Sequence, residues 1–427
     1  MNKPQVILFG SIGIVIVLAI LLILGVIPGL KQNVSSASAD MLLWDFGSSP
    51  EIWTQTIGVY KAANPNINIT YVQKDPNRFE EELLNALASG KAPDIWTIKQ
   101  SWILKHKDKI FPFPEVSLQF SKTDYQRLFA DTSFSFIQDK QIVALPTSVD
   151  TLALFYNKDI FNSENIPNPP STWDDMLAVV KKTTKRSAVG NIIQGGVAMG
   201  TIKNINHGVD IVSALLLQNG NSILDPENKT SDLGNQESSN AIEFYRSFSD
   251  SGKKNYSWSD EMPSSLDAFA GEKVSLVFGF STDYPLIKAK NPRLNFAIAA
   301  LPQQNDSTIK TNYGVTTGLT VSRNSKNPLE AWRFILYATT DPTAIKFYLN
   351  GTGKPPAYRP YVNADILPPY GEVFQKQVLS AKSWLQPDED KVSSVFQNMI
   401  QSARGNASSI NQVAGSAAGQ LEQMLVP

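Results

Sequence analysis

The sequence predicts an α/β fold carried behind one uncharged N-terminal segment. Three observations predict it. From Met41 onward, short apolar or alternating runs are separated by helix-patterned stretches, the order that builds a parallel sheet. Residues 6–30 hold no charged side chain. The remainder has a globular composition: in 427 residues, 42% are hydrophobic and 18% charged, enough for two domains.

Composition excludes several function classes. The net charge of -1 offers no basic face for general nucleic-acid binding. The absence of Cys excludes disulfides, thiol catalysis, thiolate metal sites and a lipidated-cysteine anchor. Only His106 and His207 are present, so a His-rich metal site is excluded as well. No metal and no cofactor are expected.

As a helix, residues 6–30 would be about 37 Å long, more than the roughly 30 Å of a bilayer core. That also exceeds the usual signal-peptide core of about 7–15 residues. The opposing sign is Ala37-Ser38-Ala39, an A-x-A pattern just before Asp40. The expectation is an uncleaved single-pass anchor: residues 1–5 inside, 6–30 across the cell membrane, and 31–40 a Ser/Ala-rich stalk. Lys3 and the amino terminus precede the span and Lys31 follows it, so the charge bias is weak. The large body after one span is the stronger reason to place that body outside the cytoplasm.

Along the body, residues 41–46 read as a strand, broken by Gly47-Ser48-Ser49-Pro50. Ser48 or Ser49 is the expected cap of a helix over 51–63, which Asn64-Pro65-Asn66 ends. Ile67, Ile69 and Tyr71 alternate as a second strand. Asn77 opens a helix with Phe79, Leu83, Leu84 and Leu87 on one face, closed by Gly90. Residues 94–98 form a third strand. In open sheets of this class ligands sit beyond the carboxyl ends of strands, where Ser48, Ser49, Gln100, Ser101 and Trp102 fall. The apolar run 151–156 then reads as one buried strand, with Pro146 marking a crossing point and Asp150 at the strand's mouth. Later helices are expected from a cap at Ser171 or Thr172, over 211–218 and 240–248, and through the tail 392–425. Strands are expected at 274–277, 296–302 and 319–322. The Gly- and Pro-rich stretch 350–360 reads as another crossing. Asp174-Asp175 and Glu80-Glu81-Glu82 suit solvated helix starts better than catalytic pairs.

Several local patterns resemble the bacterial extracellular solute-binding proteins of the maltose-binding, carbohydrate-uptake type (family 1). They are Asn64-Pro65-Asn66-Ile67-Asn68-Ile69, Gly90-Lys91-Ala92-Pro93-Asp94-Ile95, the acidic-strand-Tyr-Asn-Lys-Asp run through Asp150 and 156–159, Pro170-Ser171-Thr172-Trp173, and Ala300-Leu301-Pro302. The resemblance covers about residues 41–427. It implies a type II periplasmic-binding-protein-like clamp of two lobes, 41–148 with 302–349, and 149–301 with 350–427. The implied function is capture of a small solute, a sugar or oligosaccharide, by hinge closure, for delivery to an ABC-type permease. A monomer that is not an enzyme is expected. The alternatives are an anchored carbohydrate-active enzyme and a binding protein that serves a sensor.

By the same resemblance the ligand-binding candidates are Ser48, Ser49, Gln100, Ser101, Trp102, Asp150, Asn206, His207, Phe280, Ser281, Asp283, Tyr284, Tyr313, Gly314, Trp384 and Gln386. Rings at such places can stack on a sugar face while amides and carboxylates take its hydroxyls. No G-x-S-x-G, P-loop or H-E-x-x-H pattern is present. The chain departs from the maltose type where that type carries charged residues after the first strand and an Asp-Arg pair after the third. Here Ser48-Ser49 and Ser101-Trp102 stand instead.

Overall fold

The computed structural model describes residues 38–426 apart from 306 and 404–406. The expected span over 6–30 lies outside the described residues. Among those described, no helix is long and apolar enough to cross a membrane.

The first lobe opens with β1 (Ala39–Asp45), α1 (Pro50–Ala63), β2 (Ile67–Gln73), α2 (Phe79–Ala88) and β3 (Ile95–Lys99). β1 is the parallel neighbour of both β2 and β3, with Leu43 opposite Tyr71 and Ile95. Pro50 suits the first turn of α1, where its missing N–H would have had no partner. Ser49 stands in the N-cap position but makes no capping bond, because its hydroxyl is engaged by the Glu51 carboxylate. α2 begins two residues later than Asn77. Asp75 captures the Asn77 and Arg78 N–H groups in a turn first.

The expected strand over 151–156 is two strands, broken at Leu152. β4 (Leu145–Thr151) belongs to the first sheet and β5 (Ala153–Asn157) to the second. Pro146 therefore lies inside a crossing strand, and Leu152 is the passage between lobes. A register shift in the facing strand, between Thr317 and Gly318, accommodates the proline-bearing segment.

In the second lobe follow α3 (Trp173–Thr183), β6 (Ile192–Val197), α4 (Gly208–Gln218), α5 (Gln236–Arg246), β7 (Val274–Gly279), α6 (Asp283–Lys290) and β8 (Phe296–Ala299). Thr172 caps α3 in a reciprocal pair with Asp175. The sheet runs β8-β5-β7-β6, with a two-residue strand at its edge. It is mixed, not parallel as expected: β5 enters from the other lobe and lies antiparallel to β7 and β8.

β9 (Asn312–Val321) then returns and pairs antiparallel with β3 and β4 in the first sheet. It is longer than the expected 319–322 because its first residues start in the second lobe, where Tyr313 joins the core. α7 (Pro328–Thr340) and α8 (Pro342–Thr352) cover the first lobe. β10 (Ala381–Lys382), α9 (Glu389–Ser402) and α10 (Ala407–Gln423) follow.

Two apolar cores underlie the lobes. Leu43, Trp96, Phe136 and Phe334 lie in the first; Phe155, Leu216, Trp258 and Phe396 lie in the second. Ala357, Val362, Ile366 and Leu367 pack on the first core, although the sequence groups 350–427 with the second lobe. The third passage falls later: Phe374 sits in the second core, Val378 and Ala381 in the first, and Trp384 in the second again.

Candidate functional site

The carboxyl end of β3 meets the second lobe directly. Gln100–Trp102 form a tight 3-10 turn and all three are buried. The Gln100 amide nitrogen donates to the Trp384 carbonyl at 3.0 Å. Its carboxamide oxygen is buried with no hydrogen-bond partner among the described residues. Trp102 stacks on Phe79, with centroids 5.8 Å apart. Its indole N–H donates to Glu389 Oε2 at 2.9 Å, and the same oxygen accepts from Ser101 Oγ at 3.2 Å and Lys99 Nζ at 3.3 Å. One turn further, Lys105 Nζ lies 3.1 Å from Asp388 and 2.8 Å from Glu80. Glu80 is thus not a merely solvated helix start: it also accepts from buried His106 at 2.9 Å.

A second group gathers where β4 passes into the second lobe. The Asp150 carboxylate accepts from the Ser281 N–H at 3.1 Å and the Ser281 hydroxyl at 2.8 Å. Burial pushes its pKa up, against those two bonds and the Lys354 charge. Asp283 accepts from the Phe280 N–H at 2.7 Å and from His207 Nε2 at 2.8 Å. His207 Nδ1 lies 3.5 Å from Asp210. Burial disfavours the imidazolium, but Asp283 and Asp210 outweigh it and raise the pKa to about 10. The ring is therefore a cation at neutral pH. On the first lobe Asp45 accepts from Thr97 at 2.5 Å and from Trp53 at 2.9 Å. Burial raises its pKa, with those bonds and Lys354 opposing. Lys354 thus acts on a carboxylate of the first lobe and on one at the crossing. Beside them Tyr284 stacks on Tyr370, with centroids 4.1 Å apart and planes 5° from parallel.

The remaining expected residues divide by what already occupies them. Ser48 is buried, and its carbonyl accepts from Gln73. Ser49 is half-buried. Asn206 spends its side-chain oxygen on Ser265 and the Leu266 N–H, which fastens its loop within the second lobe. Tyr313 and Gln386 are buried, with the Tyr313 hydroxyl bonded near Asp210 and Gln386. Gly314 permits close packing, since a Cβ there would lie 2.9 Å from Ala381. The Trp384 ring faces Phe396 inside the second core and its N–H donates to Ser213 at 3.0 Å. It offers the cleft its backbone carbonyl, not an open ring face. A groove of ≈ 500 Å³ between the lobes is lined by Asp131, Thr132, Leu217, Asn221, Trp384 and Leu385, among others.

Sequence reasoning missed Lys99, Lys105, Lys354, Tyr370, Asp388 and Glu389. The only local signal was the acidic start Asp388-Glu389-Asp390 before an amphipathic helix, which marks a helix N-terminus and no more. The roles of all six come from partners far along the chain, as the |i−j| of 287 between Trp102 and Glu389 illustrates. Among the described residues, no group of three or more His, Cys, Asp or Glu could hold a metal ion.

The family model described as bacterial extracellular solute-binding protein matches residues 55–367, and the chain belongs to that family. Its members are binding proteins, and this chain is one of them, not an enzyme. Among curated relatives, the maltotriose-binding protein of Pyrococcus abyssi is 23% identical, over 74% of this chain and 66% of its own. The multiple sugar-binding protein of Streptococcus mutans is 25% identical over 49% and 50%. Among solved structures, the cyclic alpha-maltosyl-1,6-maltose binding protein of Arthrobacter globiformis superposes with a TM-score of 0.77 at 18% identity, covering 91% of this chain and 99% of its own. That likeness establishes the two-lobe α/β fold.

Proposed function

We propose that this protein captures a small carbohydrate between its lobes, from a membrane-tethered position outside the cytoplasm, and delivers it to an ABC-type importer. The observation that carries the reading is the unpaired, buried carboxamide oxygen of Gln100 at the junction of the lobes. A buried acceptor left empty is costly, and a sugar hydroxyl is a donor that fits it. Ser48 follows the end of the first strand and Asp150 lies in the crossing strand, paired with Ser281, the positions where ligand sites of such sheets form. The relatives that bind maltotriose, multiple sugars and a cyclic maltosyl-maltose support the carbohydrate class.

Calorimetry with maltotriose, mannotriose and tagatose tests the reading. At least one should bind, and Gln100→Ala should weaken it about 10-fold, the loss of one buried hydrogen bond. Amino acids or peptides binding in place of every sugar would refute it. The tether rests on the uncharged stretch 6–30 and the lack of Cys. Intact mass of membrane-extracted protein should include residues 1–39; a mature N-terminus at Asp40 would make the protein a free one.

A further inference from the structure

We infer, on the carbohydrate reading above, that Lys354 is a further ligand-contacting residue, whose ammonium donates to the hydroxyl oxygens of a neutral sugar and disfavours an acidic one. Lys354 stands between Gly353 and Pro355-Pro356. Gly353 closes α8 in the left-handed region, at φ 67°, and a Cβ there would run into the Tyr370 hydroxyl. A residue before proline is held extended, and the two prolines fix their own φ. The segment is also fastened to β4. The Val149 N–H donates to the Pro355 carbonyl at 3.1 Å, and Ser148 pairs antiparallel with Pro356. The same register puts Lys354 opposite Asp150, where facing Cβ atoms lie about 5 Å apart. The lysine stem therefore starts from a fixed place beside the crossing.

The neighbouring carboxylates decide what the ammonium can meet. Asp150 turns both oxygens to Ser281. Asp45, at the end of β1, gives one oxygen to Thr97 and the other to Trp53. Both feel the Lys354 charge, yet neither bonds it. Among the described residues, the three N–H donors of this half-buried ammonium have no hydrogen-bond or ion-pair partner. The group lies within electrostatic reach of a strand's carboxyl end and of the crossing, where ligand sites of such sheets form. Two carboxylates already balance one ammonium there. A ligand carboxylate would add a third negative charge, and a ligand amine would meet a like charge. A sugar hydroxyl oxygen accepts from the ammonium at neither cost, while another hydroxyl of the same sugar can donate to the Gln100 carboxamide oxygen.

Calorimetry of the full-length chain with maltotriose, mannotriose, tagatose and trigalacturonic acid tests the contact. At least one neutral sugar should bind the parent, and more tightly than trigalacturonic acid. Lys354→Met should bind that neutral sugar about 10- to 100-fold more weakly, the loss of a charged hydrogen bond. Its urea midpoint should stay close to the parent's, because the ammonium holds no partner within the described protein. Lys354→Ala repeats the measurement should the Met variant fail to fold. A folded variant with the parent's affinity would overturn the contact and leave the carbohydrate reading standing. So would an affinity that falls only together with the urea midpoint, which would make Lys354 structural. A parent that prefers trigalacturonic acid would overturn the selection of a neutral sugar. Binding of none of the four would remove the carbohydrate reading, and the role of Lys354 with it.

Discussion

Replacing His207 by asparagine is expected to lower stability by about 3 kcal/mol, the lower end of the range for removing one partner of a buried ion pair. The lower end applies because a quarter of the imidazole is exposed, whereas Asp283 is 5% exposed and would be left without its cation. Asparagine is the informative substitution. His207 has φ 61°, in the left-handed region that asparagine tolerates and alanine does not, so the change removes charge without adding backbone strain. The pH dependence has a definite sign. The folded-state pKa, about 10, lies above the unfolded value of 6.5, so the stabilisation is fully present below pH 6.5 and is lost as pH rises toward 10. Urea midpoints of the parent should fall across that window relative to those of the variant. Parallel profiles would show that the imidazole is neutral in the folded protein.

Truncating Trp384 to alanine is expected to cost about 3–5 kcal/mol, the range for removing a large aromatic side chain from a core. The indole is 4% exposed, lies against Phe396 and donates to Ser213. Because its carbonyl holds Gln100 and its segment leads into Glu389, the same change should also loosen the junction between lobes. Trp384→Phe separates the two roles of the ring. It keeps most of the packing and loses the hydrogen bond to Ser213, so stability should fall by only about 1 kcal/mol. Urea denaturation followed by tryptophan-independent circular dichroism measures both. A Trp384→Ala protein as stable as the parent would mean that the ring faces solvent in solution and is free to stack on a ligand.

The first three strands and their helices were legible because each is a local pattern bounded by Gly, Pro or Asn, and the structure shifts their ends by a residue or two. The passages between lobes were not. The break at Leu152 leaves no mark in an unbroken apolar run: its N–H is satisfied by the Tyr313 carbonyl, a partner far along the chain. The length of β9 was hidden in the same way, since polar Asn312, Thr316 and Thr317 belong to a strand buried between two lobes. Asp150 and Ser281 could each be named from family-like patterns, but not their mutual bonds. For the same reason Glu389 read as an ordinary helix start.

Small molecules released from the purified full-length protein, identified by mass spectrometry, test the central reading most directly. A carbohydrate at about one per chain is the predicted result, and its loss should accompany Gln100→Ala. An amino acid, peptide or polyamine released in that stoichiometry would contradict it.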